Sequence, residues 1–499
     1  MDSMRTRQVI AGMEEFFDRP PTPSSDPRTN ERAVLDLFHR VVQRVPAYRD
    51  FLRRHGVDPD GIATLADFRR LPLVTKENYQ RHYPLAEMCR DGRIEDCDVV
   101  AVSSGSTGRP TYWPRSLVDE LETNARFEQI FHDGFGADER STLAVVCFPM
   151  GTWVGGLYTA ACCRNLGAKG YPITVVAPGN DREEILRVVP ELAPSFEQTV
   201  LLGYPPFLKD VIDTGISRGM DWSSMDIKLV MAGEVFSEDW RSLVGSRAGM
   251  RRSAHDSAAL YGTADSGVLG NETPLSVSIR RFLAGNPEAA HTLFGESRLP
   301  TLVQYDPRSR FFETHDGTLL FTADGGVPLI RYHIADEGGL IEHREMLEFC
   351  AEYGFDPLAE LGGGRGAPEL PFVYVFGRSH FTVSFFGANV YPENVTVGLE
   401  QPEVSAWTTG KFVLEVTEDA DRDRHLRVTV ELAPGEEADP QRERIAAESV
   451  RTQLCRLNSE FAHYVPEEYQ LPQVTLLPAG DSAYFPRGVK HRYTRGTSV

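Results

Sequence analysis

The chain has 499 residues, which is enough to bury a large core and to form more than one domain. Its 52 Lys and Arg residues face 72 Asp and Glu residues, and the resulting net charge of −20 argues against nucleic acid and anionic membrane as partners. Seven cysteines are scattered without metal-site spacing, and the N-terminus lacks the features of a secretory signal. These features predict a cytoplasmic protein whose partners are small molecules.

The first half of the chain predicts an α/β domain. A loose leader is expected at residues 1–30, followed by a helix from Glu31 to Val45, where apolar residues recur at helical spacing. Continuous apolar strands alternating with helices are typical of a parallel-rich sheet with both faces covered. Residues 31–376 are therefore predicted to form a large α/β domain. The strands are expected at Leu143–Phe148, Ile173–Ala177, Thr199–Leu202 and Ile227–Met231, with a helix at Glu183–Leu192.

The pattern changes after a glycine-rich stretch at residues 362–368, which predicts a mobile loop. Two strands are expected beyond it, at Lys411–Val416 and His425–Leu432, followed by one long helix at Gln441–Phe461. Residues 377–499 are therefore predicted to form a small α+β domain.

A loop rich in glycine and hydroxyl groups, SSGSTGRP at Ser103–Pro110, follows the apolar stretch Val99–Val102. Backbone N–H groups and hydroxyl donors in such a loop could wrap a polyphosphate, and its glycines would allow close approach. The loop lacks the GxxxxGK[ST] pattern of a Walker A motif. Taken alone, a run of this kind is also common in surface turns.

The loop and further segments along the chain together resemble the acyl-CoA synthetase and adenylation superfamily, in particular its phenylacetate–CoA ligases. The resemblance covers residues 31–499 and implies the adenylate-forming enzyme fold, with a small mobile C-terminal domain. Its other segments are Val45–Pro84, Ala232–Glu234 (AGE), Leu260–Asp265 (LYGTAD), Leu329–Asp336 (LIRYHIAD), Gly377–Arg378 with Gly387–Pro392 (GANVYP), and Pro486–Lys490 (PRGVK).

The resemblance implies that ATP and Mg²⁺ are used to activate an acid as its acyl-adenylate. Asp265 would help to hold Mg²⁺, Asp336 would bind the ribose hydroxyls, and Lys490 and Arg378 would be catalytic. Arg109 stands where the family carries lysine, and Ala335 replaces a familiar glycine. The remaining implied ATP-binding residues are Ser104, Gly105, Ser106, Thr107 and Gly108 at the phosphates, and Gly233, Glu234, Tyr261, Gly262 and Thr263 toward the adenosine.

The acid pocket is expected near Phe148–Gly156, a segment similar to the acid site of phenylacetate-type ligases. The predicted substrate-binding residues are Trp153, Gly155, Tyr204 and Phe236. An apolar pocket with few polar groups suits an aromatic acid.

The acceptor stays open because the chain departs from the family at the hinge. Ser379, His380 and Phe381 follow Arg378 where the family carries two acidic residues linked to domain rotation. CoA is one acceptor. An amine is an alternative, as is activation of nitrite for transfer to an arylamine, and a third reading is a nucleotide-binding regulatory protein without turnover. A homodimer is also among the expected assemblies.

Overall fold

The structure, a computed structural model, describes residues 4–21, 27–103, 110–295, 299–362, 365–378, 383–485 and 493–494. The chain divides into two compact units. The first contains Met1–Val102, Tyr112–Gly203 and Leu208–Gly377, and the second contains Ser103–Thr111, Tyr204–Phe207 and Arg378–Val499. Among the described residues, no helix combines the length and apolar character that crossing a membrane requires.

The strands follow one another in chain order as β1 (Val99–Ser103), β2 (Thr111–Arg115), β3 (Thr142–Val146), β4 (Ile173–Val176), β5 (Gln198–Gly203), β6 (Ile227–Ala232), β7 (Ser257–Thr263), β8 (Gly267–Asn271), β9 (Thr301–Gln304), β10 (Arg310–His315), β11 (Thr318–Ala323), β12 (Leu329–Ile341), β13 (Phe372–Arg378), β14 (Val383–Phe385), β15 (Ala388–Val390), β16 (Thr408–Glu418), β17 (Arg424–Leu432) and β18 (Gln473–Leu477).

The helices are α1 (Met4–Asp18), α2 (Pro27–Arg44), α3 (Pro46–Arg54), α4 (Leu65–Phe68), α5 (Leu85–Met88), α6 (Leu117–Gln129), α7 (Val154–Ala168), α8 (Arg182–Leu192), α9 (Pro205–Ser217), α10 (Glu238–Arg247), α11 (Ser253–Asp256), α12 (Pro274–Gly285), α13 (Pro287–Phe294), α14 (His343–Glu352), α15 (Pro357–Glu360), α16 (Pro392–Leu399), α17 (Pro402–Ser405), α18 (Pro440–Leu457) and α19 (Ser459–Tyr464).

The largest sheet in the described part of the chain has 11 strands, in the order β10-β11-β12-β13-β9-β8-β7-β6-β5-β3-β4. Strands β4, β3, β5, β6 and β7 pair in parallel, whereas β7, β8, β9 and β13 pair antiparallel. The parallel strands β3 and β5 are buried along their whole length, as their continuous apolar sequences require. The predicted α/β fold is therefore confirmed, and its large sheet is mixed, because β10, β11 and β12 also pair antiparallel.

The N-terminal helices pack on the antiparallel end of this sheet. Phe38 of α2 and Phe51 of α3 share a buried core with Phe68, with Phe312 of β10 and with Phe321 of β11. The core residues of α2 recur at helical spacing, so one face of the helix is buried. This core holds the segment after α4 against the sheet.

Helix α1 occupies residues that the sequence predicts to be part of a loose leader, and for α1 that prediction is wrong. Phe16 is buried, and both terminal nitrogens of Arg19 donate to the Glu122 carboxylate at 3.0 Å. Lys169 Nζ donates to the carbonyl of Arg19 at 2.7 Å and lies 4.9 Å from the Phe16 ring centroid. These partners are far away along the chain, so local sequence pattern does not reveal them.

The second unit contains a three-stranded sheet among its described residues, in which β16 and β17 are antiparallel and β17 and β18 parallel. Helices α16 and α18 approach closely at Gly398, where the absence of a side chain leaves room. A Cβ there would lie 2.7 Å from the Cα of Val450. Ser449 Oγ donates to the Gly398 carbonyl at 2.7 Å and fixes this contact. The strands predicted at Lys411–Val416 and His425–Leu432 lie within β16 and β17.

The single helix predicted at Gln441–Phe461 is wrong, because Asn458 separates α18 from α19. Asn458 has φ −122°, and its side chain accepts a hydrogen bond at 3.0 Å from the backbone N–H of Phe461. Its amide nitrogen donates to the carbonyl of Asn389 at 2.8 Å. Asparagine favours this arrangement because its short side chain competes with helical backbone bonds and caps the next helix.

We expect Asn458→Ala to lower the free energy of unfolding by about 1–2 kcal/mol, since it removes a helix cap and a buried hydrogen bond. Urea unfolding of the two proteins measures the difference. Thr452→Ala, on the exposed side of α18, is the matched control and should stay within about 0.5 kcal/mol of the wild type. Equal stability of the Asn458 and Thr452 variants would contradict the capping role.

Candidate active site

A hydrogen-bonded pair joins β7 to β12 in the first unit. Tyr261 Oη donates to Asp336 Oδ2 at 2.7 Å, and the Asp336 carboxylate is buried. The Tyr261 ring stacks on Phe312, with ring centroids 6.4 Å apart. Two residues predicted to bind the adenosine half of ATP are thus brought together, and the hydroxyl orients the carboxylate.

A second tyrosine–carboxylate pair joins β12 to the turn after β7. Tyr332 Oη, on β12, donates at 2.6 Å to Oδ2 of Asp265, which lies in the turn after β7. The other oxygen of Asp265 lies 3.5 Å from Lys76 Nζ, and the two side chains are 2% and 29% exposed. Asp265 is therefore a buried carboxylate that a neutral donor orients and a cation partly compensates.

Lys76 reaches this site because its segment is attached to β12. The backbone N–H of Val74 donates to the carbonyl of Arg331 at 3.2 Å, and that of His333 donates to the carbonyl of Val74 at 2.9 Å. A capping box between Thr75 and Asn78 then starts a short helical turn at Lys76. Val74 and Thr75 together place the ammonium group beside Asp265.

Asp265 fits a Mg²⁺ ion that arrives with ATP. The described residues contain no group of three or more His, Cys, Asp or Glu side chains that could hold a metal by themselves. Mg²⁺ bound to a nucleotide takes most of its oxygens from phosphate and water, and needs only one or two carboxylates. A single oriented carboxylate is consistent with that donor set, and its role in binding Mg²⁺ stays a prediction.

The turn that carries Asp265 is closely fitted. A Cβ at Gly262 would lie 2.9 Å from the carbonyl oxygen of Gly267, so only glycine fits there. Thr263 Oγ1 accepts from the backbone N–H of Ser266 at 3.2 Å. Arg115 Nη2 donates to the carbonyl of Ala264 at 2.6 Å. Gly262 and Thr263, both predicted at the nucleotide, are therefore parts of one rigid turn.

The turn after β6 contains Gly233 at φ +86°, a value that favours glycine, and the buried Glu234. Phe236, three residues further on, has its ring centroid 5.0 Å from that of Trp240 and 4.9 Å from the Arg241 guanidinium carbon. These are contacts of a core residue. The predicted role of Phe236 as a wall of the acid pocket stays a prediction.

The segment predicted to form the acid site leads into α7. Trp153 is buried at the start of that helix, and the backbone carbonyl of Thr152 accepts from the N–H of Val102 at 3.0 Å. A Cβ at Gly155 would lie 3.3 Å from that of Phe148, whereas one at Gly156 would lie 2.3 Å from a backbone oxygen. Gly156 is thus the position where the fold requires glycine.

No protein-family model matches the chain. The chain is 25% identical over 399 residues to a phenylacetate–coenzyme A ligase of Thermus thermophilus, covering 76% of this chain and 77% of the relative. It is 22% identical over 410 residues to a phenylacetate–coenzyme A ligase of Aromatoleum evansii, covering 81% of each.

A solved structure of 2-hydroxyisobutyryl-CoA ligase has the same fold, with a TM-score of 0.64 at 16% identity, over 95% of this chain and 91% of that one. The chain is an adenylate-forming ligase, similar to phenylacetate–CoA ligases.

Some of the residues predicted for this adenylate-forming enzyme lie elsewhere. Tyr204 belongs to the second unit, where its ring centroid is 5.4 Å from that of Tyr464 and a Cβ at Gly387 would lie 2.3 Å from its ring. Arg378 is the last residue of β13. The predictions that fall outside the described residues are those for Ser104, Gly105, Ser106, Thr107, Gly108, Arg109, His380, Phe381 and Lys490.

Two residues that contact Asp265 in this adenylate-forming enzyme, Lys76 and Tyr332, were not predicted from the sequence. Both lie in segments that carry the resemblance, at Val45–Pro84 and Leu329–Asp336. Neither shows its contact with Asp265 by spacing, because the three residues come from distant parts of the chain. Their positions within these segments were the only indication in the sequence, and the structure shows that both contact Asp265.

Ala335, next to Asp336, has φ +62°, where an L-residue with a side chain is strained. We expect Ala335→Gly to raise the free energy of unfolding by up to about 1 kcal/mol and Ala335→Val to lower it by about 1–2 kcal/mol. Chemical denaturation measures both changes. Ala351→Gly, in the last turn of α14, is the same chemical change in a helix and should destabilise. Loss of stability in Ala335→Gly would contradict the strain.

Proposed function

We propose that this enzyme uses ATP and Mg²⁺ to convert a small acid into its acyl-adenylate, with release of pyrophosphate, and then transfers the acyl group to CoA. The observation that carries the proposal is the buried Asp336 held by Tyr261 at 2.7 Å. A fixed carboxylate is suited to the paired hydroxyls of a ribose, because each can donate one hydrogen bond to it.

Asp265 and Lys76 supply the charges that the adenylation step needs. The acid attacks the α-phosphorus while pyrophosphate leaves, so negative charge accumulates on phosphate oxygens. Mg²⁺, when bound, would neutralise part of that charge. Asp265 would help to hold the ion, and Lys76 would be attracted to the phosphates, since its ammonium is already beside the same carboxylate. Tyr332 keeps Asp265 in one orientation throughout.

CoA is proposed as acceptor on the strength of the relatives. The Thermus and Aromatoleum proteins are phenylacetate–coenzyme A ligases, and the solved neighbour was crystallised with an acyl-adenylate and CoA. The Thermus and Aromatoleum proteins also support an aromatic acid. The alternative acceptors, an amine or an arylamine that receives activated nitrite, rest on the replacement of the hinge acids by His380 and Phe381.

We expect the products of ATP turnover to be AMP and pyrophosphate. Purified enzyme is incubated with labelled ATP, Mg²⁺ and a panel of aromatic acids, with and without CoA, and nitrite with an arylamine forms a separate arm. AMP release that depends on CoA supports the proposed acceptor, whereas fast release only with nitrite and arylamine supports the alternative. ADP as the sole nucleotide product would refute adenylation.

Asp336→Ala and Lys490→Ala should fail in different ways. Ribose contacts exist already in the bound ground state, so Asp336→Ala should raise the KM for ATP about 10-fold or more. Lys490 is expected to act mainly in the transition state, so Lys490→Ala should lower kcat about 100-fold with little change in ATP affinity. Steady-state kinetics and equilibrium ATP binding separate the two. If both variants show the same pattern, this division of roles is wrong.

A further inference from the structure

Among the described residues of the first unit, three buried arginines form no ion pair with a carboxylate. Arg115, Arg126 and Arg310 are 6%, 4% and 5% exposed. Within the described residues, the hydrogen bonds of the Arg115 and Arg310 guanidinium groups go to backbone carbonyls, and Arg126 donates to the neutral side chain of Gln129 at 3.2 Å. The Nε atoms of Arg115 and Arg310 meet no acceptor there.

Arg115 and Arg310 flank one turn. Arg115 Nη2 donates to the carbonyl of Ala264 at 2.6 Å, and Arg310 Nη2 donates to that of Ser266 at 3.2 Å. The residue between those two carbonyls is Asp265, the predicted Mg²⁺ ligand. Two cations therefore lie against the turn that carries this predicted ligand.

A third group converges on the same place. The guanidinium carbon of Arg115 lies 5.1 Å from the ring centroid of Tyr158. A Cβ at Gly267 would lie 2.7 Å from Arg115 Nη1 and 3.1 Å from Tyr158 Oη, so both donors face the side of this glycine that carries no side chain. Tyr158 Oη is buried and meets no partner in hydrogen-bond geometry among the described residues, although Thr123 Oγ1 shares this corner.

This arrangement is costly for the unliganded protein. A buried cation without a counter-charge and a buried hydroxyl without a partner both destabilise the fold. The Glu120 carboxylate acts electrostatically on Arg115, yet Arg115 forms no ion pair with a carboxylate among the described residues. Burial also lowers the pKa of Arg126, an effect that the Asp306 and Glu122 carboxylates only partly oppose. An anion bound at this place would satisfy these groups.

We propose that Arg115, Tyr158 and Arg310, around Gly267, form a site for a planar oxyanion of the acid substrate. The identity of the ligand rests on the proposed function. The site itself rests on the donors that lack a well-formed hydrogen bond among the described residues. A guanidinium binds a planar oxyanion through parallel N–H donors, and the phenol adds one more. The ligand class is a carboxylate or nitrite, and it includes acids that carry a second anionic group beyond the reacting carboxylate.

Binding of the anion is measured without ATP, so that the result is independent of turnover. Sodium benzoate, sodium malonate and sodium nitrite are titrated against the wild-type enzyme by calorimetry, at constant ionic strength with sodium chloride as the reference salt. We expect at least one of them to bind in preference to chloride. The one that binds identifies the source of the oxyanion as a monocarboxylate, a dicarboxylate or nitrite.

Arg115→Met should weaken that binding about 10-fold or more, and Tyr158→Phe about 3- to 10-fold, as expected for one charged and one neutral donor. Arg344→Met is the matched control, because Arg344 is 89% exposed and paired with Glu348. Its affinity should stay within about 2-fold of the wild type. Tyr158→Phe removes a hydroxyl that has, among the described residues, only the Thr123 side chain nearby and no well-formed hydrogen bond, so its Tm should be equal or higher.

The outcomes separate this site from the adenylation proposal. Anion affinity unchanged in Tyr158→Phe and Arg115→Met, in enzyme that still releases AMP, would overturn the site and leave the proposed function in place. Loss of anion binding in the two variants, in enzyme that releases ADP, would support the site and refute the proposed function. If none of the three anions binds the wild type better than chloride, the site is refuted.

Discussion

Two hydrogen bonds from tyrosine hydroxyls to buried carboxylates are the constraint on which the candidate site depends. Strand β12 supplies Tyr332 and Asp336, and β7 with its turn supplies Tyr261 and Asp265, so each side gives one donor and one acceptor. The two strands are not neighbours, since β13, β9 and β8 lie between them in the sheet. The pairs therefore fix the distance between two functional carboxylates across the sheet, before any nucleotide binds. Hydrogen bonds to charged groups are worth about 1.5–3 kcal/mol, enough to hold both orientations.

The backbone of β12 is irregular where it meets this constraint. Arg331 and Ala335 have φ values of +47° and +62°, and the pairing of β11 with β12 shifts register nearby. Arg331 is held by Glu313, whose Oε2 accepts from its Nε at 3.0 Å, and its backbone N–H donates to Thr322 Oγ1 at 2.8 Å. Strain of this kind persists only where surrounding contacts over-determine it. The residues directly before Tyr332 and Asp336 thus set the direction in which β12 presents these two side chains.

The sequence predicted the parallel strands well because a strand buried on both faces is a continuous apolar run, and β3, β5 and β6 are buried, largely apolar runs. It predicted α1 and the break at Asn458 poorly, because both depend on distant partners: Glu122 and Lys169 for α1, and Asn389 for the break. The site followed the same rule. Tyr261 and Asp336 were found through motifs, whereas the contact of Lys76 with Asp265 exists only after the N-terminal segment has packed on β12.

The motif of the acid pocket and the charges near the Asp265 turn favour different kinds of acid. The segment around Trp153 and its similarity to phenylacetate-type ligases favour an apolar acid, which needs dispersion contacts and few donors. The far side of the Asp265 turn is cationic, since Arg115 and Arg310 are buried there without a carboxylate among the described residues. A pocket for a plain aromatic acid would gain nothing from those charges and would bear their desolvation cost. At the proposed oxyanion site, Arg115 and Arg310 donate to backbone carbonyls, and Glu120 offsets only part of the charge of Arg115. If the site is occupied as proposed, that charge favours a substrate with an anionic group beside the Asp265 turn.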